Sequence, residues 1–331
     1  MKTVVLRQPG GPNVLEIVDG PMPVPGPGEV VIRSRAIGVS RPDILIREGR
    51  YSWMPPLPAS PGSELSGIID AIGSGVSSLQ VGQAVLVSAR DLPVRGGCYT
   101  EAICVPASAA YALPAGVDFD QAVVLPTYLV AYAMLEMFEA SERLKSIFVT
   151  GVAGGIGGAL AELAKDRGLV VIGSVGSAER AAYAQKAGVD YIVNYREEDV
   201  VARILALTDG RGVDVAFDHI VGPHFATLFN SLADFGTLVF YNVHNQPPDA
   251  DVYEEMSRLS TKSLALRCFN IHTYDHHRDK RQQMTRTLID LLAQRRINPR
   301  VGLRLPLSEA AMAQTLLEQG SVSGKIVLYP Q

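Results

Sequence analysis

The chain has 331 residues, of which 47% are hydrophobic and 19% charged, with a formal net charge of −4. That length supports two domains with separate cores, and the balance is that of an ordinary globular protein. No block of like charge marks a nucleic-acid or acidic-lipid surface, and no apolar stretch approaches the roughly 18 residues of a membrane span.

Residues 1–122 read as short strands and turns. The runs 30–36, 65–72 and 84–88 are apolar and β-branched, and Gly and Pro clusters punctuate them, which predicts a β-rich domain. The opening MKTVVLRQPGGP has too short an apolar run for a secretory signal core. Cys98, Cys104 and Cys268 form no CxxC pair, so a cysteine-zinc lobe and a disulfide framework are both disfavoured, and the expected compartment is the cytoplasm.

The pattern changes near Gln121. A helix is predicted over 122–140, then strands and helices alternate: strands at 147–150, 170–175, 191–194, 213–218 and 236–241, helices at 158–167, 178–187, 200–208 and 225–232. Alternation at this spacing predicts βαβ units and a parallel sheet covered on both faces. Beyond about residue 264 the chain is expected to leave that sheet. A helix at 281–294, a strand at 301–305, a helix at 309–318 and a strand at 324–328 follow, and this tail is expected to return to the first domain.

The segment IFVTGVAGGIGGALAELAKDRG carries the main chemical signal. A buried strand ends at Thr150, a glycine-rich turn follows, and a helix opens. A bare backbone at Gly154 admits a pyrophosphate, Gly157 lets the helix approach the strand, and the helix N-terminus offers N–H donors to phosphate. Val152 breaks the strict GxGxxG spacing; packing alone is the competing explanation of the glycines.

NAD-binding folds place an acid at the end of the second strand to hold the ribose hydroxyls. Here the segment is VVIGSVGSAER, with no acid at that end. Arg180, Ser177 and Tyr195 are candidates to hold a 2′-phosphate, so the expected cofactor is NADPH. The competing readings are an ordinary solvated helix arginine and a helix-capping serine. The segment HTYDHH groups His272, Asp275, His276 and His277, but reads as a polar surface loop and not as a metal site. Trp53, in a Pro-rich loop, could cover a flat substrate or serve packing.

These residues and their order resemble the zinc-independent quinone oxidoreductase (zeta-crystallin-like) branch of the medium-chain dehydrogenase/reductase superfamily. The resemblance runs through GGPNVLEI, PGPGEVVIR, AIGVSRPDILIREGRY, PGSELSGIIDAIGSGV, LPAGVDFDQA, GVAGGIGG, KAGVDYIVNYREED and SGKIVL. It implies an α/β protein, with a Rossmann doubly wound sheet inserted in a GroES-like β-rich domain. The expected divisions are 1–122 and 265–331 for the catalytic domain and 123–264 for the NADP(H)-binding domain. It implies a homodimer joined through the sheet edge near Leu238 to Tyr241.

Position by position, the resemblance assigns Gly154, Gly155 and Ile156 to the phosphate turn and Gly176, Ser177, Arg180 and Tyr195 to the 2′-phosphate corner. Tyr241, Asn242, Val243 and Phe269 are assigned to the nicotinamide, and Gly324 and Lys325 to the cofactor's vicinity. Tyr51 and Ser40 are the candidate catalytic groups, as donors to the oxyanion left by hydride transfer. Zinc members carry Cys and His-Glu where this chain has Ser40 and Ser63-Glu64, so no metal is expected. The implied reaction is NADPH-dependent reduction of a quinone or small α,β-unsaturated carbonyl. An enoyl-thioester reductase and an NADPH-binding regulatory protein are the alternatives. Departures from the family pattern fall at Ser40, Leu45 and Val130, and in FDHIVGPHF and YDHHRDK.

Overall fold

The computed structural model describes residues 1–222, 224–241 and 250–330. They divide into two compact units, Met1–Pro126 with Thr285–Gln331, and Thr127–Met284.

In the first unit β1 (Lys2–Leu6) and β2 (Leu15–Asp19) form an antiparallel pair. The larger sheet begins with β3 (Glu29–Val39), β4 (Glu64–Ile72), β5 (Ala84–Ser88), β6 (Ala102–Pro106) and β7 (Ala110–Ala112). Strand β3 is its spine, paired with β4 and β6. Arg33 and Arg35 point out to solvent while Val30, Ile32 and Ile37 join Leu65, Ile69 and Val85 in the core. This is the alternation expected of a sheet with one wet face.

The second unit holds β8 (Ser146–Val149), β9 (Val170–Val175), β10 (Tyr191–Asn194), β11 (Val213–Asp218), β12 (Leu232–Phe240) and β13 (Ala265–Cys268). Every ladder in this sheet is parallel, in the order β10-β9-β8-β11-β12-β13. The order reverses between β8 and β11, and a doubly wound sheet of this kind binds ligands at the carboxyl ends of its strands beside that reversal. Phe148, Ile172, Ala216, Phe229 and Leu238 lie in one core cluster, each fully buried. That burial explains why these strands read as continuous apolar runs.

The chain then returns to the first unit. Strand β14 (Val301–Pro306) pairs parallel with β15 (Lys325–Tyr329), and β15 pairs antiparallel with β3. The helix Ala310–Glu318 between them contributes Ala310 and Ala313 to the core of that sheet.

Four expectations are corrected. The parallel sheet does not end at about residue 264, because Ala265–Cys268 is its sixth strand. Its residues are all exposed in the single chain, so the alternation that marks a strand is missing. The edge is therefore β13 and not the segment near Leu238 to Tyr241, which β11 and β13 flank on both sides. The helix expected over 122–140 is two helices, Phe119–Ala122 and Leu125–Glu136; Pro126 stands in the first turn of the second, where its missing N–H costs no bond. Segment 225–232 is not an α-helix. Ala226–Ser231 is 3₁₀, with the Ser231 hydroxyl donating to the Leu228 carbonyl at 2.7 Å and the Asn230 amide to that of Thr227 at 3.1 Å, side chains that compete with the helical ladder.

Candidate active site

The carboxyl ends of the parallel strands bring most of the expected cofactor residues to one edge of the second unit. After β8 comes the turn Thr150–Gly154, then the helix Gly155–Asp166. Gly151 takes a left-handed φ of +58°. Gly154 is the helix N-cap, and no side chain caps that end. The N–H groups of the first turn thus keep their directions for an outside acceptor.

The two key glycines differ in what they avoid. A Cβ at Gly157 would stand 2.7 Å from the Gly151 carbonyl oxygen and 2.9 Å from the Val152 Cα, so the protein's own backbone requires glycine there. A Cβ at Gly154 would meet only the Gly151 oxygen, at 3.2 Å, and one at Gly155 only a Thr127 methyl, at 3.5 Å. Both residues are exposed. Internal packing hardly demands a bare backbone at these two positions, and an approaching phosphate does. The turn fits the pyrophosphate of a dinucleotide.

At the end of β9, residues 174–177 carry no acid. The Ser177 hydroxyl accepts the Arg180 N–H at 3.3 Å and so caps the helix Ala178–Gln185. Arg180 and Tyr195 are exposed, and Tyr195 lies against Gly176, where a Cβ would meet its phenol oxygen at 2.4 Å. Tyr241 follows β12, its N–H donating to the Asp218 carbonyl at 3.1 Å, and burial pushes its phenol pKa well up. Phe269 follows β13, its N–H donating to the Phe240 carbonyl at 2.8 Å. Asn242 and Val243 lie outside the described residues.

The first unit holds a buried polar cluster that the sequence scatters over 285 positions. Ladder β15–β3 pairs Ile326 with Val39, so the next step along it brings Lys325 beside Ser40. Ladder β3–β4 pairs Gly38 with Glu64. A Cβ at Gly38 would collide with the Glu64 side chain at 2.5 Å and with Lys325 Cε at 2.9 Å; glycine there makes room for the pair. Lys325 Nζ donates to Glu64 Oε1 and, at 2.7 Å, to Ser40 Oγ, while the Ser40 hydroxyl itself donates to Glu64 Oε1.

Asp43 sits one helical turn after Ser40. It accepts the Ser40 N–H at 2.7 Å, the Ser63 hydroxyl at 2.6 Å and the Tyr99 hydroxyl at 3.3 Å. Burial, and then the charge of Glu64, push its pKa up to about 7. Sequence reading missed Asp43 and Tyr99. The S-x-x-D spacing from Ser40, a capping-box pattern, was the available signal for Asp43.

The donor set at these positions does not fit zinc. It is a serine, two carboxylates and an ammonium already seated on one of them, without imidazole, and burial holds the nearby Cys98 thiol protonated by raising its pKa. His272 Nδ1 lies 2.8 Å from Asp275 Oδ2, and Arg281 donates to the other oxygen of Asp275 at 3.0 Å, so the carboxylate of the HTYDHH segment is taken up by these two side chains. Tyr51 is packed among Leu6, Leu45 and Ile46, with its ring 5.7 Å from that of Trp53.

Residues 26–115 match the family model of the alcohol dehydrogenase GroES-like domain, and residues 155–294 that of the zinc-binding dehydrogenases. A quinone oxidoreductase of Pseudomonas aeruginosa is 33% identical over 324 residues, 97% of each chain. The crystal structure of the Escherichia coli quinone oxidoreductase complexed with NADPH superposes with a TM-score of 0.85 at 29% identity, covering 100% of both chains. A structure described as an NAD-dependent alcohol dehydrogenase superposes with a TM-score of 0.87 at 27% identity over 99% of each. The fold agrees with these relatives, and at 33% identity over 97% of its length the chain belongs to the quinone oxidoreductase family of the medium-chain dehydrogenase/reductase oxidoreductases.

Proposed function

We propose that the protein is a zinc-independent, NADPH-dependent oxidoreductase that reduces a quinone or a small α,β-unsaturated carbonyl. The observation that carries the reading is the uncapped, glycine-bare N-terminus of the helix Gly155–Asp166 at the reversal of the parallel sheet. When bound, NADPH supplies the hydride. The amides of Gly155, Ile156 and Gly157 hold the pyrophosphate. Ser177, Arg180 and Tyr195, with no acid at the end of β9, hold a 2′-phosphate. Tyr241 and Phe269 flank the nicotinamide.

Reduction leaves an oxyanion that needs a proton. Ser40 is the better donor of the two candidates. It is half-buried, and its hydroxyl is backed by the Lys325 ammonium. Tyr51 is only 9% exposed within an apolar cluster, which suits a wall better than an acid. Lys325, seated on Glu64 and Ser40, acts on this hydroxyl. The same reading makes the protein cytoplasmic, with its three cysteines free, and a homodimer joined through β13. Among the described residues no helix is long and apolar enough to cross a membrane.

The test is a fluorescence titration with NADPH and NADH, followed by turnover on quinones, short enones and acyl thioesters with a metal chelator present. The expected result is NADPH binding at least roughly tenfold tighter than NADH, about 1.4 kcal/mol, with Arg180→Ala erasing the difference, and turnover on quinones or enones. Equal affinity for the two nucleotides removes the NADPH assignment. Faster turnover of thioesters makes it an enoyl-thioester reductase. Tight binding without turnover on any acceptor makes it a nucleotide-binding regulator, and loss of activity to the chelator defeats the zinc-free assignment.

A further inference from the structure

The segment FDHIVGPHF puts a histidine directly across the sheet's reversal from the phosphate turn. His219 follows β11 as Gly151 follows β8, and these two strands are neighbours. The imidazole covers Gly151: a Cβ there would meet His219 Cε1 at 2.5 Å and Nε2 at 3.3 Å. The Gly151 carbonyl is turned into the loop, accepting the Gly154 N–H at 2.9 Å. The turn therefore lies between the helix N-terminus and this ring.

His219 is held in place by neighbours at the same edge. Its main-chain N–H donates to Thr150 Oγ1 at 3.3 Å, and Nδ1 lies 3.4 Å from the same hydroxyl. The ring stacks on Tyr241 at 5.7 Å and 30°. The loop beyond it is strained. Val221, a β-branched residue, stands at a φ of +41° and is fastened by its N–H to Asp218 Oδ2 at 2.8 Å. Such strain persists where surroundings over-determine it, commonly at ligand sites.

We propose that His219 is an additional ligand for the dinucleotide pyrophosphate, giving cofactor affinity a pH dependence. This rests on the NADPH reading above. Burial holds the imidazole's pKa below its ordinary value, partly offset by the charge of Asp218. Among the described residues, Asp218 from its own strand and the Tyr241 phenol after β12 are the titratable groups against it. A doubly charged pyrophosphate beside the ring favours the imidazolium, so binding takes up a proton and affinity rises as pH falls.

The test is NADPH affinity of the full chain at about pH 6 and about pH 8, on either side of the ordinary histidine range, for wild type, His219→Asn and His219→Gln. The expected result is a roughly tenfold loss at the lower pH, of the size of one charge-assisted contact, and little change at the higher. Affinity for 2′-AMP, which lacks the pyrophosphate, is expected to be the same in all three. Losses under about twofold at both pH values, or an equal loss for 2′-AMP, overturn the assignment. In the wild type itself, the ring resonances of His219 should titrate at higher pH once NADPH saturates the protein; an unmoved midpoint overturns it without any variant. If wild type binds NADPH and His219 is silent, only this inference fails. If wild type binds no NADPH, the cofactor reading fails with it.

Discussion

Replacing Lys325 by methionine tests the polar cluster most directly. The Lys325 and Glu64 side chains are 6% and 4% exposed, so removing the ammonium strands a carboxylate among Ser40, Asp43 and the sheet core. Breaking a buried pair by deleting one partner costs about 3–5 kcal/mol. For a unit of this size that lowers its unfolding midpoint by on the order of 10 °C. The double variant Lys325→Met with Glu64→Gln removes both charges, and a neutral amide can still accept the Ser40 hydroxyl. It should recover roughly 2 kcal/mol or more of the single-variant loss, the coupling expected of residues in contact. Thermal and denaturant unfolding of the four proteins in one buffer give the cycle. A single-variant cost below about 1 kcal/mol, or strict additivity, would refute the view that this pair is buried and mutually dependent.

Two shorter predictions concern the same regions. Asp43 has a folded pKa raised from 3.8 to about 7. Its contribution to stability is therefore full below pH 3.8 and is lost as pH rises through about 7. Asp43→Asn removes this dependence, so wild type should lose up to about 4 kcal/mol against the variant across that window, and a flat difference between their denaturation curves would sink the assignment. Gly157→Ala puts a methyl against fixed backbone at 2.7 and 2.9 Å. It should destabilise by about 1–3 kcal/mol and weaken NADPH binding by displacing the helix, and an unchanged unfolding midpoint and affinity would contradict the packing.

The parallel sheet was legible because its inner strands are buried on both faces and so appear as apolar runs separated by amphipathic helices. Strand β13 was not, because Ala-Leu-Arg-Cys is exposed at every position and its pairing with Thr237–Phe240 is the sole thing that makes it a strand. The phosphate turn could be read because its glycines adjoin one another. The Ser40–Glu64–Lys325 cluster could not, since it depends on two ladders meeting at β3. Gly38 looked like an unremarkable strand glycine until the side chains filling its missing Cβ were seen. His219 was visible only as part of FDHIVGPHF, a segment that departs from the family pattern. Its meaning comes from which strand ends beside it.

The placement of β15 also dictates an order of events at the ribosome. Ile326–Leu328 pair with Ile37–Val39 at the middle of the first unit's sheet, and Lys325 pairs its ammonium with Glu64. These residues emerge after residues 127–284 of the second unit are already made. The nascent chain can finish its inserted unit first, while strands made earlier wait with an unfilled slot and an uncompensated carboxylate. The first unit, though begun before the second, is thus completed after it.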